Sequence, residues 1–198
     1  MAIMDRKEKV FVVKNISHLK ENLMFLSKSK ENVILLDSNN KKNDYEFIFS
    51  YGKISELKSS DNSLEKLDNY INQVNDWIFG FISYDLKEEI EDFNSKNLKY
   101  FDVPNLSFFQ PSTIWIFDGV ILKALYFDEK ELLEDWSEIN KIDTRSDDNK
   151  NNLNVELKGR LSKEEYIKKI KNIKNRIKIG DTYELNFCFD FFNDNTKI

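Results

Sequence analysis

The side chains that most often carry out covalent chemistry in enzymes are scarce in this sequence. Its 198 residues include one histidine, His18, and one cysteine, Cys188. A Cys–His nucleophile pair would require these two distant residues to meet. His18 is more typical of a surface position and Cys188 of a small packing residue. Neither fits a metal-ligand spacing, and five scattered glycines cannot form a phosphate-binding loop.

A polar stripe near the end of the sequence is a candidate ligand surface. The alternation over 182–192 predicts a strand of an antiparallel sheet with one face in the core. The polar face carries Glu184, Asn186, Cys188 and Asp190. The apolar face carries Tyr183, Leu185, Phe187, Phe189 and Phe191. The polar face is either solvated or lines a cleft in which Glu184 and Asn186 bind a polar ligand, and the pattern leaves both open.

A second candidate lies where the apolar strand predicted over 32–38 ends. Asp37 and Ser38 follow four apolar residues and precede two asparagines. Polar residues at the end of a strand can bind a ligand. The sequence Asp-Ser-Asn-Asn is equally suited to begin a turn. Both interpretations stay open here.

The elements that must position these residues alternate irregularly between helix and strand. Helical spacing or capping signals predict helices over 17–29, 62–74, 130–139 and 162–179. Apolar runs predict strands over 10–13, 32–38, 45–51, 77–86, 113–117, 120–127 and 182–192. The order contains no regular βαβ alternation, which predicts an α+β fold with antiparallel sheets flanked by helices.

Three of these segments carry more specific signals. Asp118-Gly119 between two apolar runs predicts a hairpin. The strand over 77–86 is apolar on both faces, which predicts a central position, and Gly80 within it marks a bend or a close approach. The helix over 162–179 opens with a capping box and ends before Gly180. Its lysines either face an anionic partner or form a solvated surface, and the interspersed glutamates favour the latter.

The composition excludes several classes of protein. Lys and Arg number 30 and Asp and Glu 35, so the formal net charge is −5. This acidic balance argues against a nucleic-acid-binding protein. A single cysteine cannot form an internal disulfide, and no apolar run approaches the roughly 20 residues that span a bilayer. No signal peptide is evident, so we expect a soluble, cytoplasmic protein without membrane contact.

Four segments of the sequence resemble motifs of the chorismate-binding family, and they occur along the chain in the same order as in that family. In the segment around the end of the last helix, Gly180, Asp181, Tyr183 and Asn186 match the family's Gly-Asp-x-Tyr/Phe-Gln-x-Asn signature, with Glu184 in place of Gln. The run WIFGFISYDL resembles the Gly-Tyr-x-Ser-Tyr-Asp segment, and PNLSFFQP resembles Pro-x-Leu-x-Phe-Phe-x-Pro. VILLDS resembles the Leu-Leu-Glu-Ser motif, with Asp for Glu.

The resemblance implies a fold, an activity and partners. The fold is a sandwich of two antiparallel sheets with helices outside. The activity is that of component I of aminodeoxychorismate synthase, which replaces the chorismate 4-hydroxyl with an amino group for 4-aminobenzoate and folate synthesis. It uses Mg²⁺, and a glutamine amidotransferase subunit supplies the ammonia. Component I of anthranilate synthase is the alternative within the family. By the same resemblance, Asp37 and Ser38 belong to a tryptophan-type pocket, which we expect between the sheets and close to the strand predicted over 77–86.

The resemblance also implies a division of the chain and an incomplete family fold. Residues 1–141 correspond to the N-terminal region, 142–158 to a polar linker or loop, and 159–198 to the start of the chorismate-binding domain. Members of the family are much longer, and their metal ligands, general acid and base lie in the second half. The expectation is therefore a truncated chain with no catalytic or metal-binding residue. A non-catalytic module that binds tryptophan or the amidotransferase is the alternative from another class.

The first prediction concerns turnover. The purified 198-residue chain is expected to form no aminodeoxychorismate from chorismate, with ammonia and Mg²⁺ present, because none of the family's catalytic positions falls within it. Product formation is measured by liquid chromatography. Turnover that depends on Mg²⁺ and disappears when the metal is chelated would contradict this expectation.

Overall fold

The computed structural model describes residues 5–13, 16–39, 44–91, 101–141 and 156–193. The chain divides into two compact units, residues 1–147 and residues 148–198. The boundary falls inside the predicted linker 142–158, of which 142–155 lie outside the described residues. The fold is α+β with antiparallel sheets, as the sequence predicts.

Ten strands and five helices are assigned within the described part of the chain. In chain order they are β1 (Lys7–Phe11), α1 (Ile16–Leu26), β2 (Ile34–Asp37), β3 (Phe47–Tyr51), β4 (Ser55–Ser59), α2 (Ser63–Val74), β5 (Phe79–Ile82), α3 (Lys87–Ile90), β6 (Leu106–Gln110), β7 (Thr113–Phe117), β8 (Leu122–Tyr126), α4 (Glu129–Lys141), β9 (Lys158–Gly159), α5 (Lys163–Lys178) and β10 (Phe191–Phe192).

The first unit is built on a five-stranded antiparallel sheet with the order β1-β8-β7-β3-β2. The hairpin β7–β8 is the one predicted at Asp118-Gly119, and the Asp118 carboxylate accepts hydrogen bonds from the Val120 and Ile121 N–H groups. One face of the sheet packs against α1 and α4 around the fully buried Trp115. The sheet and the two helices thus enclose the main core.

The other face of this sheet packs against a three-stranded antiparallel sheet with the order β4-β6-β5. The contact between the sheets is made by Phe79 and Phe109 on one side and by Ile114 and Ile116 on the other. Helix α2 lies on the outer side of the small sheet, where the Tyr70 hydroxyl is 2.8 Å from Ser55 Oγ. The first unit is therefore layered helix, sheet, sheet, helix, in the arrangement that the resemblance implied.

An arginine ties the two sheets together at one end. Arg6 Nε lies 2.8 Å from both carboxylate oxygens of Asp76, and its terminal nitrogens donate to the carbonyls of Pro111 (2.6 Å) and Ser112 (3.2 Å). Gln110 Nε2 also donates to Asp76, at 2.8 Å. The side chains of Arg6 and Asp76 are only 7% and 14% exposed. A charge pair with so little solvent needs this full set of partners to be stable.

A second buried network fastens α4 to the large sheet. The Tyr51 hydroxyl donates to the Asp135 carboxylate at 2.5 Å and accepts from Trp115 Nε1 at 3.3 Å. Lys30 Nζ lies 2.7 Å from the other Asp135 oxygen and 4.9 Å from the Tyr51 ring centre. Burial, together with the negative charge of Asp135, raises the pKa of Tyr51. The phenol is therefore a permanent donor, and Asp135 is held by charge and hydrogen bonds at once.

The strand predicted over 77–86 is shorter than expected and is not central. Only Phe79–Ile82 form β5, and this strand lies at an edge of the small sheet. A short 3₁₀ turn and α3 follow. The close approach at Gly80 is confirmed, because a Cβ there would meet the Ser107 carbonyl oxygen and lie 2.7 Å from Phe108 Cα. Beyond Ile82 the chain therefore forms a turn rather than a strand, in which Tyr84 is exposed and Leu86 is buried.

The second unit is organised by α5. Ser162 Oγ accepts from the Glu165 N–H and the Glu165 side chain accepts from the Ser162 N–H, which confirms the capping box. Gly180, at φ +86°, ends the helix, and its N–H and that of Asp181 donate to Ile177 and Arg176 carbonyls at 3.1 and 3.0 Å. These two bonds form a Schellman motif, which a left-handed glycine permits.

The strand predicted over 182–192 is largely wrong. Only Phe191 and Phe192 are in a strand, β10, which pairs with β9. Alternation fixes which side chains share a face, but a strand also needs a neighbouring backbone. Among the described residues no backbone pairs with 182–189, and Asp190 only accepts one bond, from the Arg160 N–H at 3.1 Å. Phe187 and Phe189 nevertheless point to α5, with ring centres 5.7 and 5.3 Å from that of Tyr166.

The second prediction tests the Arg6 network. Arg6→Met is expected to lower the free energy of unfolding by about 2–4 kcal/mol, because it leaves Asp76 in a poorly solvated site without its cation. Lys9→Met, which breaks the exposed Lys9–Glu129 pair, is the matched control and should have little effect. Both are measured by urea unfolding.

The same variant has a defined pH dependence. Burial acts to raise the pKa of Asp76, but its bonds from Arg6 and Gln110 outweigh burial and lower it. A lowered carboxyl pKa stabilises the fold above the unfolded pKa of about 3.9 and ceases to do so as the pH falls through the folded value. The difference between wild type and Arg6→Met should therefore narrow below about pH 4. A constant difference down to pH 2 would show that the ion pair is not its source.

Candidate ligand pocket

A concave pocket lies where β2 ends and β3 begins. Its volume is about 360 Å³, which is within the range of sites for small ligands. Its apolar lining consists of Leu36, Tyr45, Phe47 and Ile48. Its polar lining consists of Asp37, Ser38 and Asp44. The two residues at the end of the predicted strand 32–38 are thus both in this pocket.

The pairing of β2 with β3 places the polar residues at the rim. Asp37 is opposite Phe47 in the antiparallel register, and the Ser38 N–H continues the ladder by donating to the Glu46 carbonyl at 2.9 Å. Asn39, at φ +53°, then turns the chain away, and its N–H donates to the Asp37 carboxylate at 2.8 Å. Because β2 is the last strand of the sheet, no further strand covers this edge within the described residues.

Asp37 makes structural contacts within the protein, whether or not a ligand binds to it. The bond from the Asn39 N–H, aided by Lys20, lowers the pKa of Asp37. Lys20, on α1, lies 3.2 Å from Asp37 Oδ2 and 3.2 Å from Glu46 Oε1. Burial lowers the pKa of Lys20, but the bonds to Glu46 and Asp37 outweigh it, so that the pKa is raised. Both groups are charged at neutral pH.

Ser38 supplies a polar atom that has no partner among the described residues. Its side-chain oxygen is buried and makes no hydrogen bond. A buried hydroxyl without a partner loses its hydrogen bonds to water, which costs about 1–3 kcal/mol. A ligand in the pocket that bonded to this oxygen would recover that energy. Whether Asp37 and Ser38 bind a ligand stays a prediction.

The pocket differs in one respect from what the sequence predicts. We expected Asp37 and Ser38 to face a pocket near the strand over 77–86. The described lining residues fall between 36 and 48, and none comes from that segment. Within 77–86 the Ser83 hydroxyl oxygen is also buried and has no hydrogen-bond partner among the described residues. The Tyr84 side chain is 84% exposed, and Lys87 Nζ lies over its ring, 4.1 Å from the ring centre.

The motif residues of the second unit do not form a cleft among the described residues. Tyr183 is 97% exposed, and Asp181, Glu184 and Asn186 are exposed. Asp181 forms an ion pair of 2.6 Å with Arg176. Of the two interpretations of the polar stripe, the solvated face agrees with this exposure. Gly180 acts as a helix terminator.

The two reactive residue types occupy ordinary positions. His18 Nδ1 lies 3.2 Å from Glu21 on the same helix, and the side chain of His18 is 43% exposed. Cys188 is exposed, so the prediction of a packing residue was wrong. The alternation over 182–192 did place Cys188 on the polar face.

Sequence reasoning missed Asp44 and Tyr45, which line the pocket, and Lys20, which pairs with Asp37 at its rim. Asp44 and Tyr45 could have been found, because antiparallel pairing of the predicted strands 32–38 and 45–51 brings their adjacent ends together. Lys20 had no comparable local signal. It reaches the pocket only because α1 packs across the sheet through Leu19, Leu23 and Leu26.

Two general properties of the described residues bear on function. Nowhere in the described ranges do three or more His, Cys, Asp or Glu side chains come together in a group suited to hold a metal ion. No helix in the same ranges is long and apolar enough to cross a membrane.

Comparison with known proteins identifies a family. A family model described as chorismate binding enzyme matches residues 20–197. No curated protein matches the chain.

Proposed function

The chain belongs to the family of chorismate binding enzymes, and we propose that it is part of component I of an aminodeoxychorismate synthase. Membership of the family indicates a chorismate-utilising, enzyme-like chain whose substrate class is chorismate. The assignment to aminodeoxychorismate synthase is supported by the run Tyr-Glu-x-Asn-Phe-Cys over 183–188, which is closer to the aminodeoxychorismate branch than to the anthranilate branch. Anthranilate synthase component I is the second candidate.

The complete enzyme would convert chorismate to 4-amino-4-deoxychorismate with ammonia from a glutamine amidotransferase subunit. Mg²⁺ would supply charge stabilisation in such a reaction. The described residues do not fit that metal, because they contain no cluster of suitable ligands. We therefore derive no catalytic step from them and assign this part of the chain to framework, partner binding and regulation.

The pocket at residues 36–48 supports a regulatory ligand rather than the substrate. Chorismate carries two carboxylates. The pocket and its rim present Asp37, Asp44 and Glu46 against the single cation Lys20 among the described residues in contact with them. Like charges repel, so a dianion is disfavoured there.

An amino acid with a large aromatic side chain fits the same features better. Its ring would lie against the exposed side chains of Leu36 and Tyr45, and its ammonium group would be attracted by Asp37 and Asp44. The unpartnered Ser38 oxygen is available to bind a polar group. We propose that tryptophan is this ligand, in agreement with the resemblance of VILLDS to the family's tryptophan-pocket motif.

The amidotransferase partner tests the assignment to one branch. The chain is titrated by calorimetry with the amidotransferase subunit of an aminodeoxychorismate synthase and, separately, with that of an anthranilate synthase. We expect heat of binding with the first and none with the second. The reverse result assigns the chain to the anthranilate branch. Binding to neither, with tryptophan still bound, favours a non-catalytic tryptophan-binding module.

The reading frame after residue 198 offers an independent criterion where it continues. A lysine within a Pro-Ile-x-Gly-Thr motif would favour aminodeoxychorismate synthase. An alanine at that position would favour anthranilate synthase. This observation does not depend on folding or binding of the chain.

A further prediction concerns Ser38. If tryptophan binds, Ser38→Ala should weaken binding about threefold to tenfold, the value of one hydrogen bond to a buried hydroxyl. Ser50→Ala is the matched control, because Ser50 also has a buried oxygen without a partner but does not line the pocket. Calorimetry gives both dissociation constants. Equal weakening by the two substitutions would place the effect in the fold rather than in the pocket.

A further inference from the structure

Lys20 is placed to control which charges the pocket accepts. Its Nζ lies 3.2 Å from Asp37 and 3.2 Å from Glu46, so it bridges carboxylates on the two neighbouring strand ends. It also lies 5.7 Å from the centre of the Phe47 ring, whose residue lines the pocket. The side chain is 27% exposed. Two carboxylates and an aromatic ring thus fix its charged end beside the pocket.

The electrostatic consequence depends on what the ligand carries. A ligand with only an ammonium group is attracted by Asp37 and Asp44 but repelled by Lys20. A zwitterion places its ammonium near the same carboxylates and its carboxylate toward Lys20. Without Lys20, the described residues at the pocket and its rim would leave three carboxylates, and the zwitterion would lose its advantage.

We propose that Lys20 is a specificity-determining residue that makes the pocket select a zwitterionic aromatic amino acid over the corresponding amine. The inference rests on the proposed function, in which the pocket binds an aromatic amino acid. The inference goes beyond the proposed function, because it assigns the discrimination between two ligands to one side chain on α1, outside the lining of the pocket. Burial lowers the pKa of Lys20, but the two carboxylates outweigh it and raise the pKa, which keeps the side chain charged over the physiological range.

The experiment compares tryptophan with tryptamine, which has the same ring and ammonium group but no carboxylate. Dissociation constants are measured by calorimetry for the wild-type chain and for Lys20→Gln, Lys20→Arg and Lys28→Gln. Lys28 is the matched control, because it also lies over an aromatic ring, 4.6 Å from the centre of Phe25, and does not line the pocket.

The expected result is a change in preference rather than a uniform loss of affinity. Wild type, Lys20→Arg and Lys28→Gln should favour tryptophan. In Lys20→Gln the ratio of the two dissociation constants should shift toward tryptamine by about fivefold, the size expected for one partly exposed charge interaction on each ligand. A purely structural role for Lys20 would weaken both ligands equally and leave the ratio unchanged.

The outcomes separate the inference from the function on which it rests. If both ligands bind and Lys20→Gln leaves their ratio unchanged, the inference is wrong and the ligand pocket stands. If the wild-type chain binds neither ligand, both are wrong. An arm without any variant uses the wild-type chain in about 0.05 M and about 0.5 M salt, where screening of the Lys20 charge should reduce the preference for tryptophan. A preference unaffected by salt would also overturn the inference.

Discussion

The arrangement of the first unit depends on the requirement that the nearly buried charge of Arg6 be fully paired. The guanidinium group satisfies one carboxylate, Asp76, and two carbonyls, those of Pro111 and Ser112. These partners come from the loop before β5 and from the connection between β6 and β7, which leads from the small sheet to the large one. Strand β1 begins directly after Arg6, so a single side chain fixes an edge strand of the large sheet against both sheets. The packing of Phe79 and Phe109 on Ile114 and Ile116 joins the same two sheets through apolar contacts.

Among the described residues no strand covers the opposite edge of the large sheet, and this is where the pocket forms. Strand β1 carries three charged residues, Lys7, Glu8 and Lys9, as edge strands often do to prevent pairing with other chains. Strand β2 has the sequence Ile-Leu-Leu-Asp and a single charge at its end. Its protection comes from Asn39, which turns the chain, and from Lys20, which reaches over from α1. Asn39 and Lys20, which contact Asp37 at the end of the strand, also lower the pKa of its carboxyl group. The same residues therefore shape the end of β2 and keep Asp37 charged in the pocket.

The sequence predicts those parts of the fold whose signals are local. The capping box at Ser162, the glycine at 180 and the hairpin at Asp118-Gly119 each act within a few residues, and all three appear as expected. The errors concern partners that are distant in the chain. The run over 77–86 is apolar enough for a central strand, but within the described residues β5 pairs with β6 on one side and lies at the edge of the small sheet. The run over 182–192 alternates well but has no backbone neighbour for most of its length in the described residues. Strands β4 and β6 were not predicted, because Glu56, Lys58 and Ser107 interrupt their apolar patterns.

The candidate site shows the same division between local and distant information. Asp37 and Ser38 were identified because they follow an apolar strand, whereas Lys20, which sets their charge, is separated from them by most of α1 and a loop. A pattern of residue types cannot reveal a salt bridge that exists only because a helix crosses a sheet at one angle. In the function we propose, this bridge is what lets an acidic strand end bind an amino acid rather than a metal or a cationic ligand. Three carboxylates near one another would repel each other and favour a cation, and Lys20 removes part of that repulsion while leaving the Asp37 carboxylate on the pocket side. The charge balance of the pocket therefore depends on the packing of α1 on the sheet as much as on the residues that line it.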